Sequence, residues 1–241
     1  MTLAGESAFM RTPACSMKIT TLGDSAILIE VGDDAFAVRA LAAALLDRKP
    51  PGVFEIVPAY TTVAVFYNPL QLANGGTTTP DAAIRAWVKE VGEAAPHAKP
   101  APGRERVIPV CYGGESGPDL ESMASDKGMA VDEIVRLHSS AVYSVRAVGF
   151  SPGFPYLSGL PEALHTPRRA SPRTVVPAGS VGIGGAQTGI YTLATPGGWN
   201  LIGRTPLRLF RPEAAEPAWL RVGDIVRIEP ITQEQFKAWS P

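Results

Sequence analysis

Residues 180–210, SVGIGGAQTGIYTLATPGGWNLIGRTPLRLF, decide the fold of the C-terminal half of this sequence. Short apolar segments alternate there with glycine and proline, and turns are indicated at Gly184-Gly185 and at Pro196-Gly197-Gly198. Many short strands separated by frequent turns are typical of a small β-barrel. Strands are predicted at residues 143–149, 180–183, 187–193, 199–204, 207–210 and 222–230.

The sequence before this barrel has a mixed pattern of helices and strands. The order β-α-β-β-α resembles a split βαβ, ferredoxin-like module. Residues 106–111 (RVIPVC) fit either the last strand of this module or the first strand of the barrel. The predicted elements of the module are strands at 25–31, 53–57 and 61–67 and helices at 34–49 and 81–95.

Residues 96–103, PHAKPAPG, form the clearest linker because they are rich in proline and small residues and lack periodicity. Regular patterning begins at Met17, so residues 1–16 are expected to be a disordered extension or to follow an upstream start. We therefore predict an α+β protein. An N-terminal ferredoxin-like α/β domain spans residues 17–99, a β-barrel domain spans 104–232, and a tail or short helix follows at 233–241.

The composition excludes several classes of protein. The chain has 241 residues, 45% of them hydrophobic and 19% charged, which argues against wholesale disorder. With 22 basic and 23 acidic side chains, the net charge of −1 does not suit a chain that coats nucleic acid or an anionic membrane. Gly and Pro together make up about a fifth of the residues, which favours strands and turns over a helical bundle.

The compartment is predicted from cysteine usage and from the apolar segments. Cys15 and Cys111 are too few for a disulfide framework, so we expect free thiols in a reducing cytoplasm. The first residues lack the apolar stretch of a signal peptide, and no run of about 18 apolar residues occurs. We expect a cytoplasmic protein that binds neither membrane nor nucleic acid.

The most unusual feature is an acid-free arginine stretch between Ala163 and Pro212. It contains no Asp, Glu or Lys. Because a guanidinium group binds carboxylate or phosphate through paired hydrogen bonds, the stretch predicts an anionic ligand. The alternative is a solvated strand face, or arginines that pair with acids from elsewhere in the chain. The six arginines are Arg168, Arg169, Arg173, Arg204, Arg208 and Arg211.

Neutral polar and aromatic side chains are dense in the same stretch. Amides and hydroxyls beside cations suit a small planar substrate that carries amide and carboxylate groups, although ordinary hairpin chemistry also uses them. His138 ends the apolar face of a predicted helix, where a packed core role is the alternative to a catalytic one. The polar and aromatic residues are Gln187, Thr188, Tyr191, Trp199 and Asn200.

Several catalytic motifs are incomplete. Residues 149–153 fit G-x-S-x-G, but the nucleophile elbow needs a helix directly after the serine, and Pro152 and Pro155 prevent one. No phosphate-binding loop of the G-K-[ST] type occurs. No spacing of Cys and His predicts a metal cluster.

Long collinear segments of the sequence resemble one family. It is named variously allophanate hydrolase subunit 1, the B subunit of 5-oxoprolinase and the Kip sporulation inhibitor. The resemblance covers roughly residues 17–230. It is carried by ITTLGDSAILIEVGD at 19–33, VFEIVPAYTTVAVFYNP at 53–69, RLHSSAVYSVRAVGF at 136–150, GFSPGFPYLSGLP at 149–161 and the segment from PRRASPRTVV onward at 167–210.

The resemblance implies a fold and a set of partners. The fold would be an α/β domain followed by a cyclophilin-like β-barrel. Its partner would be a homologous second carboxyltransferase-like protein, known as the C subunit of 5-oxoprolinase or as allophanate hydrolase subunit 2. With a third 5-oxoprolinase subunit, the assembly would open 5-oxo-L-proline to L-glutamate at the expense of ATP. The Mg²⁺ that accompanies ATP would be held by the complex, and the chain alone would be inactive.

The resemblance also leaves two alternatives and suggests site residues. The chain could instead be a carboxyltransferase component of urea or allophanate metabolism, or an interaction protein that inhibits a histidine kinase. If the chain is a 5-oxoprolinase subunit, His138 is the candidate acid or base. We expect anion binding by Arg168, Arg173 and Arg204, amide orientation by Gln187, Thr188 and Asn200, and pocket walls from Phe154, Tyr156 and Tyr191.

Overall fold

The protein is described by a computed structural model, which covers residues 17–72, 78–94 and 100–239. The chain divides into two compact units. One comprises Met1–Val57 and Thr61–Ala98, and the other comprises Pro58–Tyr60 and Lys99–Pro241. The predicted extension at 1–16 and part of the predicted linker lie outside the described residues.

The first unit is a four-stranded sheet with helices packed against it. The strand order is β1-β2-β4-β3, and the pairs β1/β2 and β2/β4 are antiparallel, once the elements are numbered along the chain. Ile27, Ile29, Leu45 and Val88 are fully buried between sheet and helices. The elements are β1 (Lys18–Thr21), β2 (Ala26–Glu30), α1 (Ala35–Asp47), β3 (Val53–Ala59), β4 (Thr62–Tyr67), α2 (Pro69–Leu72) and α3 (Pro80–Ala94).

The predicted order β-α-β-β-α occurs as β2-α1-β3-β4-α3. The additional strand β1 was not predicted, and it forms the sheet edge beside β2. Helix α1 begins where Asp34 accepts hydrogen bonds from the Phe36 and Ala37 amides, at 2.8 and 3.3 Å, as an N-cap residue does. The ferredoxin-like assignment of this unit stays a prediction.

The second unit contains the predicted β-barrel, which is confirmed as a closed seven-stranded barrel. The strands follow one another around it in the order β10-β7-β6-β13-β5-β12-β9, and β8 pairs with β11 in a separate two-stranded sheet. The elements are β5 (Glu105–Tyr112), α4 (Leu120–Lys127), α5 (Val131–Ser140), β6 (Val142–Val148), β7 (Pro155–Ser158), β8 (Arg173–Val176), β9 (Ser180–Gly184), β10 (Gln187–Ile190), β11 (Thr195–Gly197), β12 (Asn200–Arg204), β13 (Ile225–Ile231) and α6 (Gln233–Lys237).

Several predicted elements differ from the observed ones. The strand predicted at 207–210 is wrong, because only an isolated bridge joins Phe210 to Ala218. Pro206 and Pro212 flank this segment, and proline lacks the amide that a ladder requires. Strands β7, β8 and β11 and helix α4 were missed because they are short. The ambiguous segment at 106–111 lies in β5 of the barrel.

An ion pair with a buried carboxylate joins the starts of the two parallel strands of the barrel, β5 and β13. The Arg104 guanidinium donates hydrogen bonds to both Asp224 oxygens at 2.7–3.2 Å, and the Arg104 amide donates to Oδ1 at 3.1 Å. Burial acts to raise the pKa of Asp224, but the hydrogen bonds from Arg104 and from the Arg221 amide outweigh it and lower the pKa. Asp224 is 1% exposed, so this pair is a structural one.

Within the described residues, no helix combines the length and the hydropathy that crossing a membrane requires.

Candidate functional site

An open cavity of about 290 Å³ lies in the second unit, beside the small sheet formed by β8 and β11. Five of its lining residues are aromatic, and two are arginines. A mostly apolar pocket with a few charged groups is the usual form of a small-molecule site. The lining residues are Phe150, Phe154, Tyr156, Arg168, Arg169, Pro172, Tyr191, Pro196, Gly197, Gly198 and Trp199.

The aromatic wall is organised around Phe154, which is 2% exposed. Its ring centroid lies 4.9 Å from that of Tyr156, 5.2 Å from Tyr191 and 5.5 Å from Trp199, in each case edge to face. Edge-to-face contacts are favoured by the ring quadrupoles and fix the orientation of each ring.

Glycine makes room for these rings in the neighbouring strands. A Cβ atom at Gly184 would lie 2.6 Å from the Trp199 ring, and one at Gly189 would lie 2.9 Å from the Phe154 ring. Carbon atoms do not approach that closely without displacement, so both positions require glycine. The glycine-rich β9–β10 hairpin thereby lets the rings lie directly against the barrel strands.

Phe150 forms the rim of the cavity, and its side chain is largely exposed. Its φ of 71° lies in the left-handed region, which is unfavourable for a residue with a Cβ atom. The ring is held edge to face against Phe154 and Tyr191. The Phe154 amide donates to the Ser151 carbonyl at 3.0 Å, so the G-x-S-x-G segment is a turn and not a nucleophile elbow.

The cavity also has a cationic edge, formed by Arg168 and Arg169. Arg169 Nη1 donates to Asp119 Oδ1 at 2.9 Å, and Arg173 Nη2 donates to the same oxygen at 2.7 Å. The second oxygen of Asp119 accepts from the Leu201 amide at 2.7 Å. Arg168 also lines the cavity, and none of the carboxylates described in residues 17–72, 78–94 and 100–239 forms an ion pair with it. Arg168 is thus a positive charge with which an anion can pair.

The two tyrosines of the cavity are neutral hydrogen-bonding groups. Burial raises the pKa of Tyr156, although the positive charge of Arg168 acts in the opposite direction. Burial also raises the pKa of Tyr191, while a hydrogen bond from the Trp199 amide and the nearby arginine charges act to lower it. Both hydroxyls therefore keep their protons at neutral pH and can donate a hydrogen bond to a carbonyl or carboxylate oxygen of a ligand.

The structure brings together four of the predicted site residues and leaves the others elsewhere. Phe154, Tyr156, Arg168 and Tyr191 line the cavity, and Arg173 lies outside the lining but shares Asp119 Oδ1 with the lining residue Arg169.

The remaining predicted binders do not line the cavity. Arg204 Nε donates to the Ala178 carbonyl at 2.9 Å, and Asn200 Nδ2 donates to the Pro167 carbonyl at 2.8 Å. Gln187 Nε2 donates to the Tyr60 hydroxyl, and Thr188 is fully buried. Their side chains are thus used within the fold. The predicted binding roles of these residues stay predictions, which this geometry does not support.

His138 lies in the interior of the second unit and does not line the cavity. Its Nδ1 is 2.7 Å from the Tyr112 hydroxyl, and its Nε2 is 3.1 Å from Thr188 Oγ1. Because Thr188 Oγ1 donates to the Gly182 carbonyl at 3.0 Å, it accepts from an Nε2–H, and Nδ1 accepts from Tyr112. Burial lowers the pKa of His138 to about 3, so the ring is neutral. This geometry favours the structural alternative over a catalytic role.

Asp119, Phe150 and the cavity turn at 196–198 were not predicted to be part of the site, and Arg169 belonged to the predicted arginine stretch but was not among the three arginines expected to bind an anion. Asp119 lies in an ordinary turn sequence, 50 positions before Arg169 and 54 before Arg173, so no local sequence pattern predicts its ion pairs with these arginines. Among the described residues, no group of three or more His, Cys, Asp or Glu side chains could hold a metal ion.

The chain is similar in sequence and in fold to known proteins. Residues 17–220 match the family described as carboxyltransferase domain, subdomain C and D. The B subunit of 5-oxoprolinase from Bacillus subtilis (strain 168) is 41% identical over 92% of this chain and 96% of its own length. The protein of the same name from Escherichia coli O157:H7 is 45% identical over 87% of this chain and 94% of its own length.

One solved structure shows the same fold at low identity. The Kluyveromyces lactis urea carboxylase superposes with a TM-score of 0.70 and 17% identity, over 92% of this chain and 22% of that one. The chain thus spans nearly the whole length of the two bacterial relatives and about a fifth of the urea carboxylase. Because the family match covers both units, the chain belongs to the family of the carboxyltransferase domain, subdomain C and D.

Proposed function

We propose that this chain is the B subunit of an ATP-dependent 5-oxoprolinase and that its cavity binds 5-oxo-L-proline. The observation that carries the proposal is an aromatic cavity whose edge holds Arg168, an arginine without an ion pair to any described carboxylate. It is supported by the two relatives named as the B subunit of 5-oxoprolinase, each covered over more than nine-tenths of its length. The cavity also has a volume suited to a small ligand.

The chemistry of the substrate fits the lining. 5-Oxoproline is a small planar lactam ring that carries one carboxylate. The ring would pack among Phe154, Tyr156 and Trp199, and the carboxylate would accept paired hydrogen bonds from Arg168. The neutral hydroxyl of Tyr156 or Tyr191 would donate to the lactam oxygen.

Ring opening requires activation because the lactam is resonance-stabilised. We propose that the γ-phosphoryl group of ATP is transferred to the lactam oxygen, which leaves ADP and an activated ring. Water then adds its oxygen to the ring carbon, the carbon–nitrogen bond breaks and the nitrogen takes up a proton, which gives γ-glutamyl phosphate. A second water molecule hydrolyses this acyl phosphate and releases phosphate and glutamate. The arginine side chains would offset the negative charge that spreads over the transferred group.

The described residues of this chain do not fit a Mg²⁺ site. Mg²⁺ prefers carboxylate oxygens, but no described Asp or Glu lines the cavity, and Asp119, which pairs with the lining residue Arg169, already accepts from two arginines and an amide. The Mg²⁺ would therefore be held by the nucleotide itself and by partner subunits. We accordingly expect the single chain to show no turnover.

Reconstitution with the candidate partner subunits tests this function. The assay is ATP-dependent release of glutamate from 5-oxoproline, with and without this chain. Arg168→Ala removes a charge-assisted hydrogen bond of about 1.5–3 kcal/mol, so the KM for 5-oxoproline should rise at least about tenfold. Arg211→Ala is the matched control, because Arg211 is exposed and outside the cavity. An assembly that is equally active without this chain would overturn the proposal.

A second candidate is a carboxyltransferase component that acts on urea or allophanate. The fold shared with the urea carboxylase favours it, as does the name of the family. Urea is neutral and would leave Arg168 without a partner, whereas allophanate carries a carboxylate. We place this function second because the two bacterial relatives are named for 5-oxoprolinase. Transfer of a carboxyl group from carboxybiotin to urea by the reconstituted assembly, without 5-oxoproline turnover, would favour it. Inhibition of a histidine kinase stays a prediction.

A further inference from the structure

Asp119 is a buried carboxylate that does not cap the helix that follows it. It stands at the N-cap of α4, yet its side chain accepts no hydrogen bond from the helix amides. Aspartate at this position commonly caps the helix that follows it. Here both oxygens accept from distant segments instead, namely Arg169, Arg173 and the Leu201 amide.

The contacts of Asp119 join two segments that line the cavity. Arg169 lies in one of them, and Leu201 directly follows the other at 196–199. The same two segments are also joined by the Arg169 amide, which donates to the Gly198 carbonyl at 2.8 Å. Asp119 is 4% exposed and is absent from the cavity lining, so it acts through its neighbours and not on a ligand.

The charges at the cationic edge depend on Asp119. Two guanidinium groups donate to one oxygen atom, and they would repel each other if that negative charge were removed. Arg168, Arg169 and Arg173 carry three positive charges, and Asp119 carries one negative charge, which leaves a net charge of +2. Arg169 remains 38% exposed at the cavity, so its other N–H groups stay available to a ligand. Arg173 Nη1 is buried and has no partner within the described part of the chain.

We propose that Asp119 is the positioning residue that makes this cavity selective for a substrate carboxylate. It holds Arg169 and Arg173 in place beside Arg168, so that the cavity distinguishes a lactam with a carboxylate from the same lactam without one. This inference rests on the proposed function and names the part of the site that selects an anionic substrate.

Two ligands separate the carboxylate from the ring. The full chain is titrated with 5-oxo-L-proline and with 2-pyrrolidinone, which is the same lactam ring without the carboxylate, and the fluorescence of Trp199 at the cavity reports binding. Selectivity for the carboxylate is measured by the Kd of 2-pyrrolidinone divided by the Kd of 5-oxo-L-proline. Asp119→Asn should lower this ratio about tenfold, equivalent to about 1.4 kcal/mol, while the Kd of 2-pyrrolidinone stays unchanged.

Controls isolate the positioning role. Glu213→Gln removes a carboxylate that pairs with Arg208 at an exposed site, and it should leave both Kd values unchanged. If Asp119 acts through Arg169, the effect of Asp119→Asn should be smaller in an Arg169→Gln background. Arg169→Gln alone, which leaves Asp119 paired with Arg173, should lower the ratio in the same direction and serves if Asp119→Asn does not fold.

The outcomes distinguish this inference from the proposed function. A wild-type chain that binds neither ligand, alone or in the reconstituted complex, would overturn the cavity as the substrate site. A wild-type chain that prefers 5-oxoproline, together with variants at Asp119 and Arg169 that keep the full preference, would overturn only the positioning role. In the complex, the positioning role predicts a raised KM for 5-oxoproline in Asp119→Asn with little change in kcat.

Discussion

The buried His138 makes the stability of the second unit depend on pH in a defined way. The folded state holds the imidazole neutral, with a pKa of about 3, whereas an unfolded chain has the ordinary value of 6.5. As the pH falls below about 6.5, the unfolded state binds the proton first and gains stability relative to the folded state. The stability from the neutral ring is therefore complete above pH 6.5 and is lost as the pH falls toward 3.

The size of the effect follows from the two pKa values. Each pH unit between them costs about 1.4 kcal/mol, so lowering the pH from 8 to 5 should remove about 2 kcal/mol of unfolding free energy through His138 alone. His138→Gln removes this titration. The stability difference between wild type and His138→Gln should therefore shrink by about 2 kcal/mol over the same interval.

Urea unfolding at several pH values measures this difference. In a Trp87→Phe background the fluorescence comes from Trp199, Trp219 and Trp239, all of which lie in the second unit. Thr188→Val is the matched control, because it removes a hydrogen bond to His138 but keeps the imidazole. It should be destabilised about equally at pH 8 and pH 5. A stability difference for His138→Gln that is constant within about 0.5 kcal/mol from pH 8 to 5 would refute the reasoning.

Three further predictions concern stability and are measured by urea unfolding. Arg104→Met leaves a buried carboxylate unpaired and should cost about 3–5 kcal/mol, whereas Arg208→Met breaks only an exposed pair and should cost about 1 kcal/mol or less. Gly184→Ala should lower the free energy of unfolding by about 1–3 kcal/mol and shift the tryptophan emission. In Gly198→Ala the nearest atom to the new Cβ is 3.6 Å away, so neither effect is expected. Phe150→Gly removes the strain of a left-handed backbone at a residue with a Cβ atom, so the free energy of unfolding should stay equal or rise by up to about 1 kcal/mol. The same change should weaken binding of 5-oxoproline. A lower free energy of unfolding would contradict this prediction.

The barrel was predictable because its signal is local. Glycine and proline separate the segments that become β9, β10 and β12, and each of these strands lies within a predicted one or overlaps it by all but one residue. The edge strand β1 and the short strands β8 and β11 carry no such signal. Their residues gain β structure only from the strand beside them, as β8 does from β11. Strand pairs between segments distant in sequence, such as β8 with β11, therefore could not be predicted from local sequence patterns.

The arginine stretch was a correct signal for a cationic cavity edge, but it could not tell which arginines remain free. Arg168 and Arg169 are adjacent in sequence and line the same cavity, yet only Arg169 pairs with a carboxylate that lies 50 positions earlier. Arg204, equally promising by sequence, donates to a backbone carbonyl. The number of arginines thus predicts that an anion site exists, whereas the buried acid that reaches some of them decides its composition. For this reason Asp119, which no local pattern marks, is the residue on which the selectivity of the site should depend.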